Sequence, residues 1–400
     1  MKQKKLQNAF AKIMMVTTLL LWGKSMFKKK FLVALLLLST ILRAESALQP
    51  MNIHKVVERY SNEMNNTGIL LLTEEKDRTF KASAGWADRE NRREICTDDL
   101  FEIGSASKMF TAIAIFQLIE QGKLSLNTSL GKLYPEGKIR GLANVKGRNY
   151  WDDVTVGMLL NHTAGFIDYL NVYGDDAKAI KIYSDRSKIY DFDTIIELAL
   201  QFGDANFKPG TAFKYCNTGY IILGDIITKV SGIDWHNYIE KHIFDKAGVT
   251  HTYFGTRLPK VIRRKMPKGY LSGKPVAMPM ALADSAGEIV SNLDDLARLI
   301  DTWREGGYYQ KHKTLQVQMT QGYHRMDPMV SNIYYGYGLM KLNGYYGHGG
   351  QTFGFESYVT TNPDNNSTYI VGTNDAMVRS MNLFMKMAGI EMKYVSKDDR

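Results

Sequence analysis

Ser105 and Lys108 stand three residues apart at the head of a stretch, Met109 to Ile119, that is apolar almost all round. On a helix, residues at this spacing share a face, so the hydroxyl and the amine would meet at the first turn of a buried helix. Burial disfavours the ammonium and lowers the lysine pKa, while the helix N-terminus favours negative charge developing on the serine oxygen. A nucleophile beside its base implies acyl transfer through a serine ester. Spacing alone does not suffice, because Ser25-Met26-Phe27-Lys28 fits the same pattern inside a basic leader.

Two further clusters single out Ser105. Tyr215-Cys216-Asn217 follows the turn Lys208-Pro209-Gly210-Thr211. In an extended or loop segment the phenol and the amide at i and i+2 point the same way and can reach one cleft, whereas Cys216 turns away as a buried thiol. Tyr60-Ser61-Asn62 repeats the spacing by chance, within an amphipathic helical pattern. Gly347-His348-Gly349-Gly350-Gln351 is a glycine run on an expected strand, and such runs mark a bulge or the close approach of a ligand or another backbone. The functional reading is a sheet edge at Gly349, Gly350 and Gln351 along which substrate lies, with Gln351 N–H aimed at a developing oxyanion.

These elements, in this order and 110 and 133 residues apart, resemble the penicillin-recognising serine hydrolases, which embrace class C β-lactamases, DD-peptidases and related esterases. Gly85 to Asp88, Phe101 to Lys108, Leu159 to Gly165, Pro209 to Gly219, Ala286-Gly287, Asp295 to Ala297 and Tyr337 to Leu339 extend the resemblance over nearly the whole body of the chain. It implies that Ser105 is the acylated nucleophile and Lys108 the neutral amine that helps take its proton. Tyr215 would be the partner base and then the acid for the leaving group; Asn217 would hold Lys108 and a substrate carbonyl. The oxyanion would lie between the N–H groups of Ser105 and Gln351. A phenol of ordinary pKa about 10 needs cationic neighbours to act as a base, and the sharing of the proton between Lys108 and Tyr215 is a coupled titration.

One departure bears on the substrate. Where class C β-lactamases carry Lys-Thr-Gly, this chain has His348-Gly349-Gly350, so imidazole replaces a permanent cation in the catalytic set and a hydroxyl is lost. A D-amino-acid-containing peptide of the cell wall, cleaved as by a D-Ala-D-Ala carboxypeptidase, is therefore expected, with a carboxyl ester as alternative, ahead of a β-lactam; a non-catalytic sensor of the same fold is the reading from a different class. A Ser/His/Asp triad can also be drawn with His162 and Asp168, but the resemblance makes His162 part of a helix-to-loop connection.

The elements that must position these residues follow from periodicity. Ile53 to Tyr60 reads as an amphipathic helix, Gly68 to Thr73 and Thr79 to Gly85 as strands, and Ser105 to Gly122 as the buried helix. Helical patterns at Val154 to Asn161, Phe192 to Gln201, Thr218 to Val230 and Trp235 to Phe244 fill the middle. Ser291 to Asp294 resembles a capping box opening a helix to Trp303. Strands at Tyr337 to Leu342, Tyr345 to His348, Phe355 to Thr361 and Thr368 to Thr373 precede a last helix, Ser380 to Met387. The fold class is α/β (α+β), of the β-lactamase/transpeptidase type. One antiparallel sheet comes from residues 47–122 and 281–400, flanked by helices, and a mostly helical region, 123–280, is inserted.

The formal charge of +10 suggests a polyanion partner, but nine of the 51 basic residues lie before residue 45, leaving 42 against 41 acidic ones. No nucleic-acid partner is implied. Lys28 to Lys30 and the apolar run Phe31 to Leu42 read as a signal peptide, too short to span a membrane, with cleavage expected after Ser46. Met26 would by itself start a well-formed signal, and an uncleaved anchor is the rival reading. Export to the periplasm or the medium is expected. Cys96 and Cys216 could pair there. No metal-ligand spacing or phosphate loop stands out, so no cofactor is expected.

Overall fold

The computed structural model describes residues 50–75, 78–170 and 189–394; the leader, 1–46, and residues 171–188 lie outside them. The chain divides into a short N-terminal unit, 1–53, and a large unit, 54–400, which carries the sheet and the site described below. The large unit is built on an eight-stranded antiparallel sheet. In chain order its strands are β1 (Ile69–Glu75), β2 (Arg78–Ala84), β3 (His324–Arg325), β4 (Ile333–Tyr335), β5 (Met340–Leu342), β6 (Tyr345–Gln351), β7 (Glu356–Asn362) and β8 (Ser367–Thr373). Across the sheet they run β3-β4-β5-β6-β7-β8-β1-β2, so the two ends of the chain meet where β8 pairs with β1, Leu72 opposite Ile370.

Helices cover both faces, which is why β1 reads as a continuous apolar run and not as an alternating one. Among the helices are α1 (Pro50–Glu63), α2 (Lys108–Glu120), α3 (Phe192–Gln201), α4 (Asn217–Ser231), α5 (Leu293–Arg304), α6 (His312–Thr320) and α7 (Ser380–Ala388). Phe384 of α7 packs on the rings of Tyr345, Tyr358 and Tyr369. One residue along each strand, Val359 and Ile370 turn the other way into the main core with Leu70, Leu72 and the whole of α2. Arg304 of α5 reaches Thr361 and Thr368 on that second face. Burial of α2 is extreme, Lys108 to Leu118 all lying inside, as expected for a helix apolar on every side.

Several expected elements differ in register. The helix expected from Ser105 opens as a 3-10 turn, Gly104–Ser107, before becoming α-helical at Lys108. In a 3-10 turn residues i and i+3 eclipse, which tightens the Ser105–Lys108 approach. The strand expected from Tyr337 begins only at Met340, because Gly338 makes a left-handed turn against α2: a Cβ there would lie 2.4 Å from Ala112 Cβ. The capping box is shifted by one residue. Asn292 caps α5 by accepting from Asp295 N, and the Asp295 carboxylate binds Thr250 N and His251 N instead of returning to the cap. Trp235–Ile239 is α-helical but continues as a π-helical turn, Glu240–Phe244. Strands β3 and β4 and helix α6 carry no periodic signal and were not expected. Both cysteines are free, Cys96 exposed and Cys216 buried.

Candidate functional site

Lys108 has no exposed surface, and its amine contacts three oxygens: Ser105 Oγ at 3.1 Å, Asn217 Oδ1 at 2.7 Å and the Ala286 carbonyl at 2.7 Å. Burial brings its pKa down to about 7, with the Asp168 charge opposing. At neutral pH a large share of the amine is therefore unprotonated. A neutral amine has two hydrogens and one lone pair. Asn217 Oδ1 and Ala286 O can only accept, so they take the two hydrogens and the lone pair faces the Ser105 hydroxyl, the only partner with a proton to give. Asp168 decides which way the Asn217 amide faces. Its Oδ2 accepts from both Asn217 N (3.0 Å) and Asn217 Nδ2 (2.8 Å), turning Oδ1 toward Lys108. Burial pushes the Asp168 carboxyl up, against the pull of these hydrogen bonds. Ala286 is anchored by its neighbours: Ser285 Oγ donates to Tyr220 O, and Ser285 O accepts from Thr111 of α2.

Strand β6 lies directly on the serine turn. A Cβ on Gly350 would fall 1.8 Å from Ile103 O, and one on Gly104, whose φ is +53°, would fall 2.6 Å from Gln351 N. Only glycines allow this approach. It puts the Gln351 peptide beside the backbone that leads into Ser105, where two N–H groups can converge on one oxygen. Strand β5 covers β6 only from Tyr345 to Gly347. From His348 to Gln351 that edge of β6 has no strand partner among the described residues, while β7 holds its other edge through Gln351. A substrate backbone can pair along the free edge.

Tyr215 faces the same amine, Lys108 Nζ lying 5.2 Å from its ring centroid. Its ring meets those of His162 at 4.2 Å, Tyr335 at 5.7 Å and His348 at 6.1 Å. Cys216 turns away into a small apolar recess with Leu159, Phe166 and Gly219, and burial pushes its thiol pKa up to about 12. Tyr60 and Ser61 lie on α1, where Tyr60 bonds Arg379 O and Ser61 bonds Thr67 O.

The family model for Beta-lactamase matches residues 54–380. The chain belongs to the Beta-lactamase family. It has the β-lactamase/transpeptidase-like fold. Penicillin-binding protein 4* of Bacillus subtilis (strain 168) is 31% identical over 186 residues, 46% of this chain and 37% of that protein, so the match spans well under two thirds of that relative. Among solved structures, a D-stereospecific amidohydrolase from Streptomyces sp. superposes with a TM-score of 0.70 at 24% identity, over 83% of this chain and 97% of that one. The D-amino acid amidase from Ochrobactrum anthropi SV3, complexed with L-phenylalanine, gives 0.70 at 21% identity, over 84% and 98%.

His348 lies in the same buried cluster as Lys108, its ring 6.1 Å from that of Tyr215. Its side chain is fully buried and not on the cleft surface. Nδ1 faces the Gly349 carbonyl and must donate, so Nε2 accepts from Tyr335 OH at 2.9 Å. Burial and the Lys108 charge bring its pKa down to about 3, so the ring is neutral near pH 7. His162 and Asp168 do not form a dyad: Asp168 serves Asn217, and His162 accepts from Cys216 N. The sequence marks no role for Ala286 O or Tyr335, and it offers Asp168 only as part of the triad drawn with His162. The only available hint was the Ala286-Gly287 landmark, whose carbonyl carries no side-chain signature.

Proposed function

We propose that this chain hydrolyses amide bonds of D-amino-acid-containing peptides or amides through a Ser105 acyl-enzyme. The observation that carries the reading is the three-oxygen cradle of Lys108, which aims a neutral lone pair at the serine proton. Lys108 takes that proton as Ser105 Oγ bonds to the substrate carbonyl carbon. The resulting oxyanion lies between Ser105 N–H and Gln351 N–H. Tyr215 protonates the leaving amine as the C–N bond breaks, and Lys108 returns a proton to Tyr215. Water then attacks the ester, giving its proton to the same pair and releasing the acid and Ser105. His348, neutral, and Gly349, without a hydroxyl, give a substrate carboxylate neither a cation nor a donor side chain. This favours an uncharged group next to the scissile bond over a β-lactam or a free C-terminal carboxylate. The two solved relatives named for D-stereospecific amide hydrolysis support the same class. The lysine-rich, apolar leader supports export of the enzyme.

The test compares D- and L-phenylalanine amide, a D-Ala-D-Ala peptide, a p-nitrophenyl ester and nitrocefin, with a fluorophosphonate probe to count acylated serine. The expected result is turnover of the D-amide above its enantiomer and above nitrocefin, with probe labelling lost in Ser105→Ala. Undiminished labelling of that variant removes Ser105 as nucleophile; ester turnover without amide turnover replaces the substrate class with esters.

A further inference from the structure

His162 carries a backbone conformation that side chains rarely adopt, φ +59°, and its ring is almost wholly buried. The residue grips Tyr215 from both sides along the chain. Its carbonyl accepts from Lys214 N at 3.0 Å and its ring Nδ1 accepts from Cys216 N at 3.2 Å. Between these two bonds the imidazole lies against the Tyr215 ring, centroids 4.2 Å apart and planes inclined by 40°. Its other neighbours are Tyr335 at 4.5 Å and Tyr220 at 5.2 Å. The wall behind it is thus aromatic, and Tyr335 is itself tied to His348.

The ring's chemistry follows from these contacts. Because Nδ1 accepts, the hydrogen sits on Nε2, which is buried without a hydrogen-bond partner among the described residues. An unmet buried donor costs about 1–3 kcal/mol, which a purely apolar filler would avoid. The left-handed backbone and the Nδ1 acceptor together narrow the choice to side chains such as His and Asn, which tolerate positive φ and place an acceptor at that distance from the backbone.

We propose that His162 is a positioning residue that fixes the attitude of the Tyr215 ring toward Lys108 and the leaving group. The inference rests on the proton-transfer reading of Tyr215 given above. Without the Nδ1 bond and the ring contact, the segment is held only through Lys214 N and the phenol can swing away from the amine. A small misplacement of a proton donor costs up to about 100-fold in rate.

The experiment uses His162→Ala, His162→Gly, which removes the ring without backbone strain, and His162→Asn, which keeps both the acceptor and the left-handed preference. Each is read by single-turnover acylation, by thermal unfolding and by the 13Cζ NMR signal of Tyr215, assigned by its loss in Tyr215→Phe. The expected result is a loss of about 10- to 100-fold in acylation for Ala and Gly with KM nearly unchanged, and a shifted Tyr215 signal. Asn should stay within about threefold of the parent with the signal in place. In the Tyr215→Phe background, His162→Ala should cost less than about twofold more, because its target is gone. The proposal is overturned if the Tyr215 signal stays put in a folded Ala or Gly variant, if the loss is the same in both backgrounds, or if Asn behaves like Ala. Should neither Ala nor Gly fold, the Asn variant decides by whether its rate and signal hold. Should Tyr215→Phe itself acylate at the parent rate, the catalytic reading of Tyr215 falls, while the NMR signal still judges His162.

Discussion

Replacing Lys108 by methionine separates a buried neutral amine from an ordinary lysine by the pH dependence of stability. The unfolded chain holds the Lys108 proton up to 10.5, whereas the folded chain holds it only to about 7. Between those values the unfolded state binds more protons, so the lysine's penalty on folding shrinks as pH rises. From pH 6 to pH 9 the parent should gain about 2 to 3 kcal/mol relative to Lys108→Met, a figure obtained from the two pKa values at about 1.4 kcal/mol per pH unit. Solvent screening does not reduce it, because the amine is fully buried. The variant also leaves Asn217 Oδ1 and Ala286 O without their donor, but that cost does not depend on pH and only offsets the curve. Urea unfolding of both proteins at five or six pH values measures the difference, and titrating groups remote from Lys108 cancel. The acylation rate of the parent should rise through the same pKa near 7. A stability difference that stays flat from pH 6 to 9 refutes the reasoning, since the folded protein would then carry an ammonium with no lone pair for Ser105.

Other perturbations read the parts around the amine. Asp168→Asn should slow acylation by about 10- to 100-fold by letting the Asn217 amide turn its nitrogen toward Lys108. Because the Asp168 charge holds the Lys108 pKa up, the rising limb of the pH–rate profile should also move to lower pH. Gly350→Ala should unfold the site or the protein, since its Cβ would sit 1.8 Å from Ile103 O and 2.7 Å from Ser357 Oγ; overpacking of this kind costs about 1–3 kcal/mol or more. Gly349→Ser, one residue away, meets the Tyr358 ring at 3.3 Å and Ser357 O at 3.8 Å. Its melting temperature should stay within a few degrees, at about 2–4 °C per kcal/mol for a large domain, and that contrast between adjacent glycines checks which face of β6 lies on the serine turn.

Much of the scaffold was legible because its signals are local. Phe192–Gln201 was bounded residue for residue, having a 3.6-residue apolar period and an Asp191 cap whose carboxylate accepts from Thr194 N. The long strands came within a residue or two, β7 and β8 from β-branched and aromatic enrichment and β1 from its apolar run. By contrast, β3 and β4 have two and three residues, too few for a period to show. They exist because β5 offers an edge to β4 and β4 in turn to β3, a tertiary reason that no window of sequence contains. The same holds for the turn at Gly338, set by the closeness of α2.

The site was legible in its nucleophile and less so in its surroundings, and His348 shows why. Strand alternation is read from contrast between neighbours, and here the neighbours are glycines, so sequence cannot say which face the imidazole takes. The answer changes the electrostatics of the whole cleft. A fixed cation at that position would lower the Lys108 pKa by repulsion, and part of the amine's tuning could come from it. With a neutral ring there, burial alone brings Lys108 down, and Asp168 works against it. A lysine neutralised only by burial depends on staying dry and on having every hydrogen matched by an acceptor, or the interior would lose more than it gains. The three oxygens from Ser105, Asn217 and Ala286 meet that demand from three separate segments. The residues that hold these segments, Asp168 behind Asn217 and Ser285 beside Ala286, are therefore requirements of the base as much as of the fold.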